Sequence, residues 1–239
     1  MSRSPTPQPS ATAPQRTVIF ANGTVSDLEA ARAVLAPGDS LVAADGGLRY
    51  FQALGQPPHM VVGDLDSITA ADEASLAEAG VRVERFPARK DETDLELAVR
   101  LAVAEGAQDI LIFGALGGRW DQTLANLLLL AHPDFRSVRV RLLDGTQQIY
   151  LVQGQTTIEG RAGDTVSLIA LNGDALGVTT AGLDYPLARG TLRFGSTLGI
   201  SNALLGTRAT VSVESGLVVC VVIGGSIDRP RGAFCSPKG

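Results

Sequence analysis

The sequence contains few of the residues on which common catalytic motifs depend: among 239 residues there are two lysines, two histidines, two cysteines and one tryptophan. Neither Lys90 nor Lys238 lies in a G-x-x-x-x-G-K-S/T string, which excludes a P-loop. The dinucleotide-binding string G-x-G-x-x-G is also missing. Without a G-x-S-x-G motif, a serine hydrolase is disfavoured. His59 and His132 adjoin prolines, so we interpret them as loop or helix-end residues rather than catalysts.

Cysteine spacing, hydropathy and net charge exclude further classes of protein. Cys220 and Cys235 form no C-x-x-C pair, so we expect neither a disulfide framework nor a zinc cluster, and the chain suits a reducing compartment. No run approaches the roughly 18 apolar residues of a membrane span. The net charge of −5 indicates no bias toward nucleic acid or an anionic membrane. We therefore expect a cytoplasmic protein with neither of these as partner.

The composition is that of a folded protein with two short tails. Hydrophobic residues make up 45% and charged residues 19% of the chain, which is enough apolar material for a core. Residues 1–15 contain four prolines and no apolar stretch, so we expect a disordered tail rather than a signal peptide. We interpret residues 228–239 as a second, loose tail. Acidic residues are concentrated in the first part of the chain: residues 1–145 carry a net charge of −6 and residues 146–239 carry +1.

Residues 16–145 alternate short β-rich segments with longer helical ones, which is typical of an α/β domain with a mostly parallel, Rossmann-like sheet. Strands are predicted at residues 17–20, 41–44, 60–62, 81–86, 110–113 and 138–143. Helices are predicted at residues 48–54, 70–79 and 121–131. Two more helices are expected to start at capping boxes, one from Ser26 to Glu29 and one from Thr93 to Glu96.

Residues 146–227 have a different pattern and form the second predicted domain. They contain short β-branched segments separated by Gly, Asn or Asp, at residues 165–171, 190–194, 209–213 and 217–223. No helix signal of useful length is present there. The pattern indicates antiparallel strands in a sandwich or a barrel.

Polar residues collect directly after four predicted strands of the first domain. In an open α/β sheet the ligand crevice lies outside the carboxyl ends of the strands, so these positions are the candidate site. The first cluster, Asp45, Gly46 and Gly47, follows the strand at residues 41–44. Its glycines allow backbone amides to approach a phosphate or a base closely, although a tight turn explains them equally well.

Two aspartates follow the strand at residues 60–62. In an extended chain residues two apart point the same way, so Asp64 and Asp66 are expected to present two carboxylates to one side while Leu65 turns toward the core. Such a pair is costly unless a cation lies between the carboxylates, and hard oxygen ligands suit Mg²⁺. The alternative is a solvated turn in which Asp66 caps the next helix.

Residues 89–94 follow the strand at residues 81–86 and mix both signs of charge. Lys90 is placed to neutralise a phosphate, and Asp94, in the first turn of the next helix, is placed to join the metal site. The preference of acidic residues for helix N-termini explains Asp91, Glu92 and Asp94 equally well.

A glycine-rich segment, residues 114–122, follows the strand at residues 110–113 and leads into a helix. Gly117 and Gly118 before a helix N-terminus form an anion site, to which Arg119 adds a cation. Gln122 and Asn126 are four residues apart and share one helix face. Acidic pairs, cations and glycine turns at four strand ends together predict a Mg²⁺-nucleotide site.

These clusters, in this order, resemble those of the thiamine pyrophosphokinase family. The resemblance rests on residues 45–47, 63–67, 90–94 and 117–122, together with Asn126. It continues into the second domain, where residues 182–187 and 199–202 are similar to the thiamine-contacting segments of the family. It therefore covers nearly the whole chain from about residue 17 to residue 223.

The resemblance implies an enzyme that transfers the diphosphate of ATP to the hydroxyethyl oxygen of thiamine, giving thiamine diphosphate and AMP. It also implies an α/β nucleotide domain followed by a β-sandwich, and a homodimer with thiamine bound between the subunits. The implied catalytic residues are Asp64, Asp66, Lys90 and Asp94, of which the three aspartates hold Mg²⁺. The implied nucleotide contacts are Asp45, Gly46, Gly47, Gly117, Gly118, Arg119, Asp121, Gln122 and Asn126. The implied thiamine contacts are Tyr185, Ser201 and Asn202.

Two other functions are compatible with parts of the sequence. The aspartates alone would serve a pyrophosphokinase or nucleotidyl transferase that acts on another small alcohol such as a pterin, but residues 182–187 and 199–202 favour thiamine. A non-catalytic sensor of thiamine or nucleotide is disfavoured, because a sensor would not need to retain the three aspartates and Lys90 together.

Overall fold

The computed structural model describes residues 15–66 and 68–224, and it confirms an α/β arrangement in the first half of the chain. Apart from Gln15, both predicted tails lie outside the described residues, as do Ser67 and Cys235. The elements of this half are β1 (Gln15–Phe20), α1 (Leu28–Val34), β2 (Ser40–Ala44), α2 (Leu48–Leu54), β3 (Met60–Gly63), α3 (Ala70–Glu78), β4 (Arg82–Arg85), α4 (Asp94–Ala104), β5 (Ala107–Phe113), α5 (Trp120–Leu129) and β6 (Arg139–Asp144).

The described part of the second half contains strands and no helix. Its strands are β7 (Gln147–Leu151), β8 (Gln155–Glu159), β9 (Thr165–Ala170), β10 (Ala175–Ala181), β11 (Gly190–Leu192), β12 (Asn202–Ala203), β13 (Arg208–Ser212) and β14 (Val218–Ile223). The sequence prediction contains β9, β11, β13 and β14 but lacks the other four. All the strand pairs among β7 to β14 are antiparallel, as predicted.

One ten-stranded sheet runs through both halves in the order β12-β9-β14-β7-β6-β5-β1-β2-β3-β4. The six strands from β6 to β4 are parallel. The direction changes at a two-residue hairpin between β6 and β7, where Gly145 has a φ of 55°. A second sheet, β11-β10-β13-β8, encloses a shared core with β7, β9 and β14. The two sheets packed around this shared core form the predicted β-sandwich.

Helices cover both faces of the parallel strands. Val18 and Phe20 of β1 belong to the core under α1, α2 and α3, whereas Ile19 and Ala21 belong to the core under α4 and α5. Because successive strand residues point to opposite faces, a strand buried on both sides is a continuous apolar run. Among the described helices, none is long and apolar enough for a membrane crossing.

The helix starts differ from the predicted capping boxes. Asp27, not Ser26, caps α1 by accepting a bond from the Ala30 amide, and the Ser26 amide donates to Asp144 at the end of β6. Thr93 caps α4 as predicted, but the Glu96 carboxylate accepts from Arg100 and does not complete the box. The reciprocal capping box found in the structure joins Thr69 and Asp72 at the start of α3.

Candidate active site

A cleft of about 430 Å³ lies at the carboxyl ends of β1, β2 and β5. The chain passes from β1 to β2 on one side, and β5 lies on the other side of β1, so the cleft is at the topological switch point of the sheet. Seven of the predicted site residues line it: Asp45, Asp94, Gly117, Gly118, Arg119, Gln122 and Asn126. The remaining nine do not: Gly46, Gly47, Asp64, Asp66, Lys90, Asp121, Tyr185, Ser201 and Asn202.

Two backbone loops form the centre of the cleft and are held together by hydrogen bonds. The Gly23 amide donates to the Gly114 carbonyl at 2.8 Å, and the Thr24 amide donates to the Leu116 carbonyl at 3.3 Å. A Cβ on Gly23 would lie 2.3 Å from the Gly114 oxygen, and one on Gly114 would lie 2.5 Å from the Ala21 oxygen. Both positions therefore require glycine, and the loops after β1 and β5 form one unit.

Asp45, Gly46 and Gly47 form a 3-10 turn between β2 and α2. Asp45 has a φ of 48° and lines the cleft. A Cβ on Gly47 would lie 1.9 Å from the Phe20 oxygen, and one on Gly46 would lie 2.3 Å from Asn22 Oδ1. The glycines thus allow the turn to pack closely against the end of β1, which agrees with the tight-turn alternative.

Asp64 and Asp66 follow β3 in a turn rather than in extended chain. Leu65 is buried as expected, but it has a φ of 58°, so the geometry assumed from alternating side chains is wrong. The Asp66 amide donates to Asp64 Oδ1 at 3.3 Å. Asp64 is half-buried and Asp66 is exposed. Asp66 does not cap α3, since Thr69 does so.

Lys90 and Asp94 form an ion pair at the start of α4. Lys90 Nζ lies 2.7 Å from Asp94 Oδ1, and the two side chains are 13% and 25% exposed. A Cβ on Gly63 would lie 3.5 Å from the same oxygen and 3.3 Å from the Asp45 Cα. The ends of β2 and β3 and the N-terminus of α4 therefore meet at this point, and Lys90 brings a positive charge to it.

Within residues 15–66 and 68–224, no three carboxylate, histidine or cysteine side chains are arranged as a metal site. The donor chemistry nevertheless suits Mg²⁺, which binds carboxylate oxygens and takes its other ligands from phosphates and water. Asp94, Asp64 and Asp66 offer such oxygens at or next to the end of β3.

Arg119 and its neighbours form the outer rim of the cleft, at the N-terminus of α5. Arg119 pairs with Asp121, and both side chains are largely exposed. The hydrogen bond from Arg119 lowers the pKa of the Asp121 carboxyl, and the same bond raises the pKa of Arg119. Gln122 lines the cleft on the next turn.

Asn126 lies deeper on the same face of α5 as Gln122. Its side chain is buried, and Nδ2 donates to the Ala115 carbonyl at 2.7 Å. Asn126 therefore holds the glycine loop after β5 onto the helix, and it lines the cleft from that position.

Asn22 and Arg49 line the cleft at the end of β1, where the sequence predicts no polar cluster. Asn22 Nδ2 donates to Asp45 Oδ2 at 2.9 Å, and Arg49 donates to Asn22 Oδ1. Asn22 follows a buried strand directly, which is the signal by which the other clusters were found. Arg49, in the first turn of α2, has no such signal.

The three predicted residues of the second half form one patch. Asn202 Oδ1 accepts from the Tyr185 amide at 3.0 Å, and Nδ2 donates to the Tyr185 carbonyl at 2.7 Å. Ser201 has a φ of 59°, and its amide donates to Ser167 Oγ at 3.0 Å. The Tyr185 side chain is 73% exposed. Asn202 thus fixes the loop that presents the Tyr185 ring to solvent.

Both halves of the chain match models of known protein families. The family model described as "Thiamin pyrophosphokinase, catalytic domain" matches residues 32–142. The model described as "Thiamin pyrophosphokinase, vitamin B1 binding domain" matches residues 155–218. The first match contains most of the cleft, and the second contains the Tyr185 patch.

Individual relatives agree with these matches. The chain is 32% identical over 182 residues to a thiamine pyrophosphokinase of Bacillus subtilis, a match that covers 75% of this chain and 85% of the relative. The fold is similar to the crystal structure of thiamine pyrophosphokinase from Bacillus subtilis, with a TM-score of 0.78, 29% identity and coverage of 88% and 99% of the two chains. The corresponding structure from Geobacillus thermodenitrificans has a TM-score of 0.76, 27% identity and coverage of 89% and 99%.

Proposed function

The chain belongs to the thiamine pyrophosphokinase family and has its diphosphate-transfer activity toward thiamine, and we propose that ATP binds as donor in the cleft at the ends of β1, β2 and β5. The loop of residues 114–118 and the N-terminus of α5 are the proposed phosphate site. Gly114, Gly117 and Gly118 all have positive φ, which turns the backbone sharply at the helix entrance. Amides at such a turn and the positive end of a helix favour an anion.

Asp64, Asp66 and Asp94 are the proposed Mg²⁺ ligands. Mg²⁺ usually combines carboxylate oxygens with phosphate oxygens and water, so the nucleotide itself supplies part of the site. When bound, the metal would cancel charge on the phosphate oxygens. Ser67, next to this group, lies outside the described residues.

Lys90 and Arg119 are the proposed cations for the transferred group. Attack on the β-phosphorus requires in-line positioning and cancellation of charge on the equatorial and leaving oxygens. The Lys90 ammonium is held by Asp94 beside the cleft, so a phosphate oxygen would gain a fixed, largely desolvated partner there. The exposed Arg119 would close on the nucleotide from the rim.

Thiamine binding by Tyr185, Ser201 and Asn202 supports a homodimer, because these residues are far from the cleft of their own chain. Six strand spacings separate β12 from β1 in the large sheet, which corresponds to about 25–30 Å. Reacting atoms must approach to about 3–3.5 Å. The proposed thiamine patch of one subunit would therefore serve the cleft of its partner.

Exposed apolar side chains offer surfaces for this association. Trp120, Leu124 and Leu128 lie on one face of α5 and are 80%, 58% and 58% exposed. Leu198 and Leu205, in the segments around Asn202, are 69% and 62% exposed. Apolar groups of this size are expected to be covered in an oligomer.

The observation that carries the proposal is that Asp45, Asp94 and the glycine loop line one cleft at the switch point, with Lys90 paired to Asp94 beside it. Its test is AMP release from Mg-ATP with and without thiamine. We expect AMP only when thiamine is supplied, and chelation of Mg²⁺ should abolish it. AMP release with a pterin and not with thiamine would reverse the substrate assignment. Binding of both ligands without turnover would indicate a sensor.

Subunit complementation tests the composite site. Asp64→Asn inactivates the cleft, Tyr185→Ala weakens the thiamine patch, and the two variants are mixed after mild dissociation. A heterodimer has one intact site if the site is shared, so random mixing should restore about a quarter of the wild-type rate. No gain over the separate variants would place the whole site within one chain.

A further inference from the structure

Arg49 directs its guanidinium to the loop after β1. Nη2 donates to the carbonyl oxygens of Asn22 and Gly23 at 2.7 and 2.8 Å and to the Tyr50 hydroxyl at 3.0 Å. Nη1 donates to Asn22 Oδ1 and, at 3.3 Å, to the Gly46 carbonyl. A planar fork of fixed donors suits several acceptors at once. The donors of both terminal nitrogens are therefore used on acceptors of the protein.

Tyr50 contacts the loop after β1 as well, and its ring packs against the Arg49 guanidinium. Its hydroxyl donates to the Gly23 carbonyl and accepts from the Val25 amide at 3.1 Å. The Arg49 guanidinium carbon lies 4.6 Å from the centroid of the Tyr50 ring. Arg49 and Tyr50 together fasten α2 to the loop that forms the centre of the cleft.

The Asn22 amide has one orientation in this arrangement. Its Oδ1 faces Arg49, which only donates, and its Nδ2 faces the Asp45 carboxylate, which accepts. A flipped amide would place donor against donor and acceptor against acceptor. Arg49 thus determines that Asn22 presents a donor to Asp45.

Asp45 depends on this donor for its position. Its backbone is in the left-handed region, with a φ of 48°, and it faces the cleft. The adjoining Gly46 packs on the Asn22 side chain so closely that a Cβ there would lie 2.3 Å from Asn22 Oδ1. Asn22 therefore contacts the carboxylate of Asp45 and supports the turn that carries it.

We infer that Arg49 is a positioning residue that acts through Asn22 to orient the Asp45 carboxylate in the cleft. The inference rests on the proposed function of the cleft and of Asp45 as a nucleotide contact. The competing role, direct binding of a phosphate by Arg49, would require the guanidinium to leave its protein acceptors.

The test compares Arg49→Lys, Asn22→Ala and the double variant in the full chain, with thiamine diphosphate formation as the assay. Lysine keeps the charge but not the planar fork. We expect each single variant to lower kcat at least about tenfold while the KM for ATP changes less than about threefold. The double variant should be no more than about threefold slower than either single one, because both break the same chain of contacts.

A variant of Asp45 separates positioning from a merely structural role. In an Asp45→Ala background the Asn22→Ala change should cost less than about threefold in kcat, since the carboxylate on which Asn22 acts is gone. An equal loss in both backgrounds would overturn the inference. Arg32→Lys, at an exposed arginine of α1 paired with Glu29, is the matched control and should keep the wild-type rate.

Near-normal kcat in Arg49→Lys, a change confined to the KM for ATP, or losses that multiply in the double variant would each overturn the inference. These outcomes leave the proposed function intact as long as the wild type is active and Asp64→Asn is not. An inactive wild type would instead remove the proposed function.

Discussion

Gly23→Ala is expected to separate the two loops that form the centre of the cleft. The added Cβ would lie 2.3 Å from the Gly114 oxygen, whereas an ordinary contact is 3.4 Å or longer. The backbone of Gly23 is not in the left-handed region, so the change adds a steric conflict without conformational strain. The conflict is between main-chain atoms on one side and a methyl group on the other, and no rotation of a side chain relieves it.

To accept the methyl group, the loops must move apart by about 1.1 Å, which takes the distance from the Cβ to the Gly114 oxygen from 2.3 Å to an ordinary 3.4 Å. This stretches the bond from the Gly23 amide to the Gly114 carbonyl from 2.8 Å to nearly 4 Å, which breaks it. Loss of the bond costs about 1 kcal/mol, and overpacking costs about 1–3 kcal/mol. We expect the free energy of unfolding to fall by about 2–4 kcal/mol, and the rate to fall about a hundredfold because substrate groups shift by about 1 Å.

Gly206→Ala is the matched control. Gly206 has no heavy atom within 4 Å of its added Cβ and no positive φ, so the same chemical change meets open space. Urea denaturation gives the free energy of unfolding, and thiamine diphosphate formation gives the rate. If Gly23→Ala behaved like Gly206→Ala in both assays, the close packing of the two loops, and with it the architecture of the cleft, would be refuted.

Three further predictions concern charges and a buried thiol. Asp64→Asn should lower turnover at least about a hundredfold with little change in the thermal midpoint, because charge on the phosphates is no longer cancelled. Lys90→Met should lower the rate by a similar factor, whereas Arg89→Met, at the exposed neighbour, should not, and equal effects on steady-state rates would contradict the role of Lys90. Burial raises the pKa of the Cys220 thiol from 9.0 to about 12, so the unfolded chain releases this proton first. The free energy of unfolding should therefore fall above about pH 9, by at most about 1.4 kcal/mol per pH unit. The decline, followed by urea denaturation at pH 8 and 11, should be shallower in Cys220→Val.

Strands β2 and β3 could be predicted because both of their faces are buried. The segments at residues 41–44 and 60–62 are short apolar runs, and they lie within β2 and β3. Asp45 directly follows β2, and Asp94 is the first residue of α4. Both positions therefore follow from the bounds of these elements. Strand β12 could not be predicted, because two residues are too few to show a periodic pattern.

The internal geometry of the site could not be predicted, since it depends on contacts between distant residues. Asp64 and Asp66 were expected to point the same way, but Leu65 takes a left-handed conformation. Asn22 and Arg49 are 27 positions apart, and only the pairing of β1 with β2 brings them together. Neither feature leaves a periodic signal in the sequence.

The most direct test of the account is a crystal structure with Mn²⁺ in place of Mg²⁺ and an ATP analogue that has a methylene group between the α- and β-phosphorus. The account predicts the triphosphate on Gly117 and Gly118, and an anomalous metal peak bound by carboxylates of Asp64, Asp66 and Asp94. A nucleotide bound elsewhere, for example in the apolar pocket of about 240 Å³ between α2 and α3, or a metal that contacts none of these carboxylates, would contradict it.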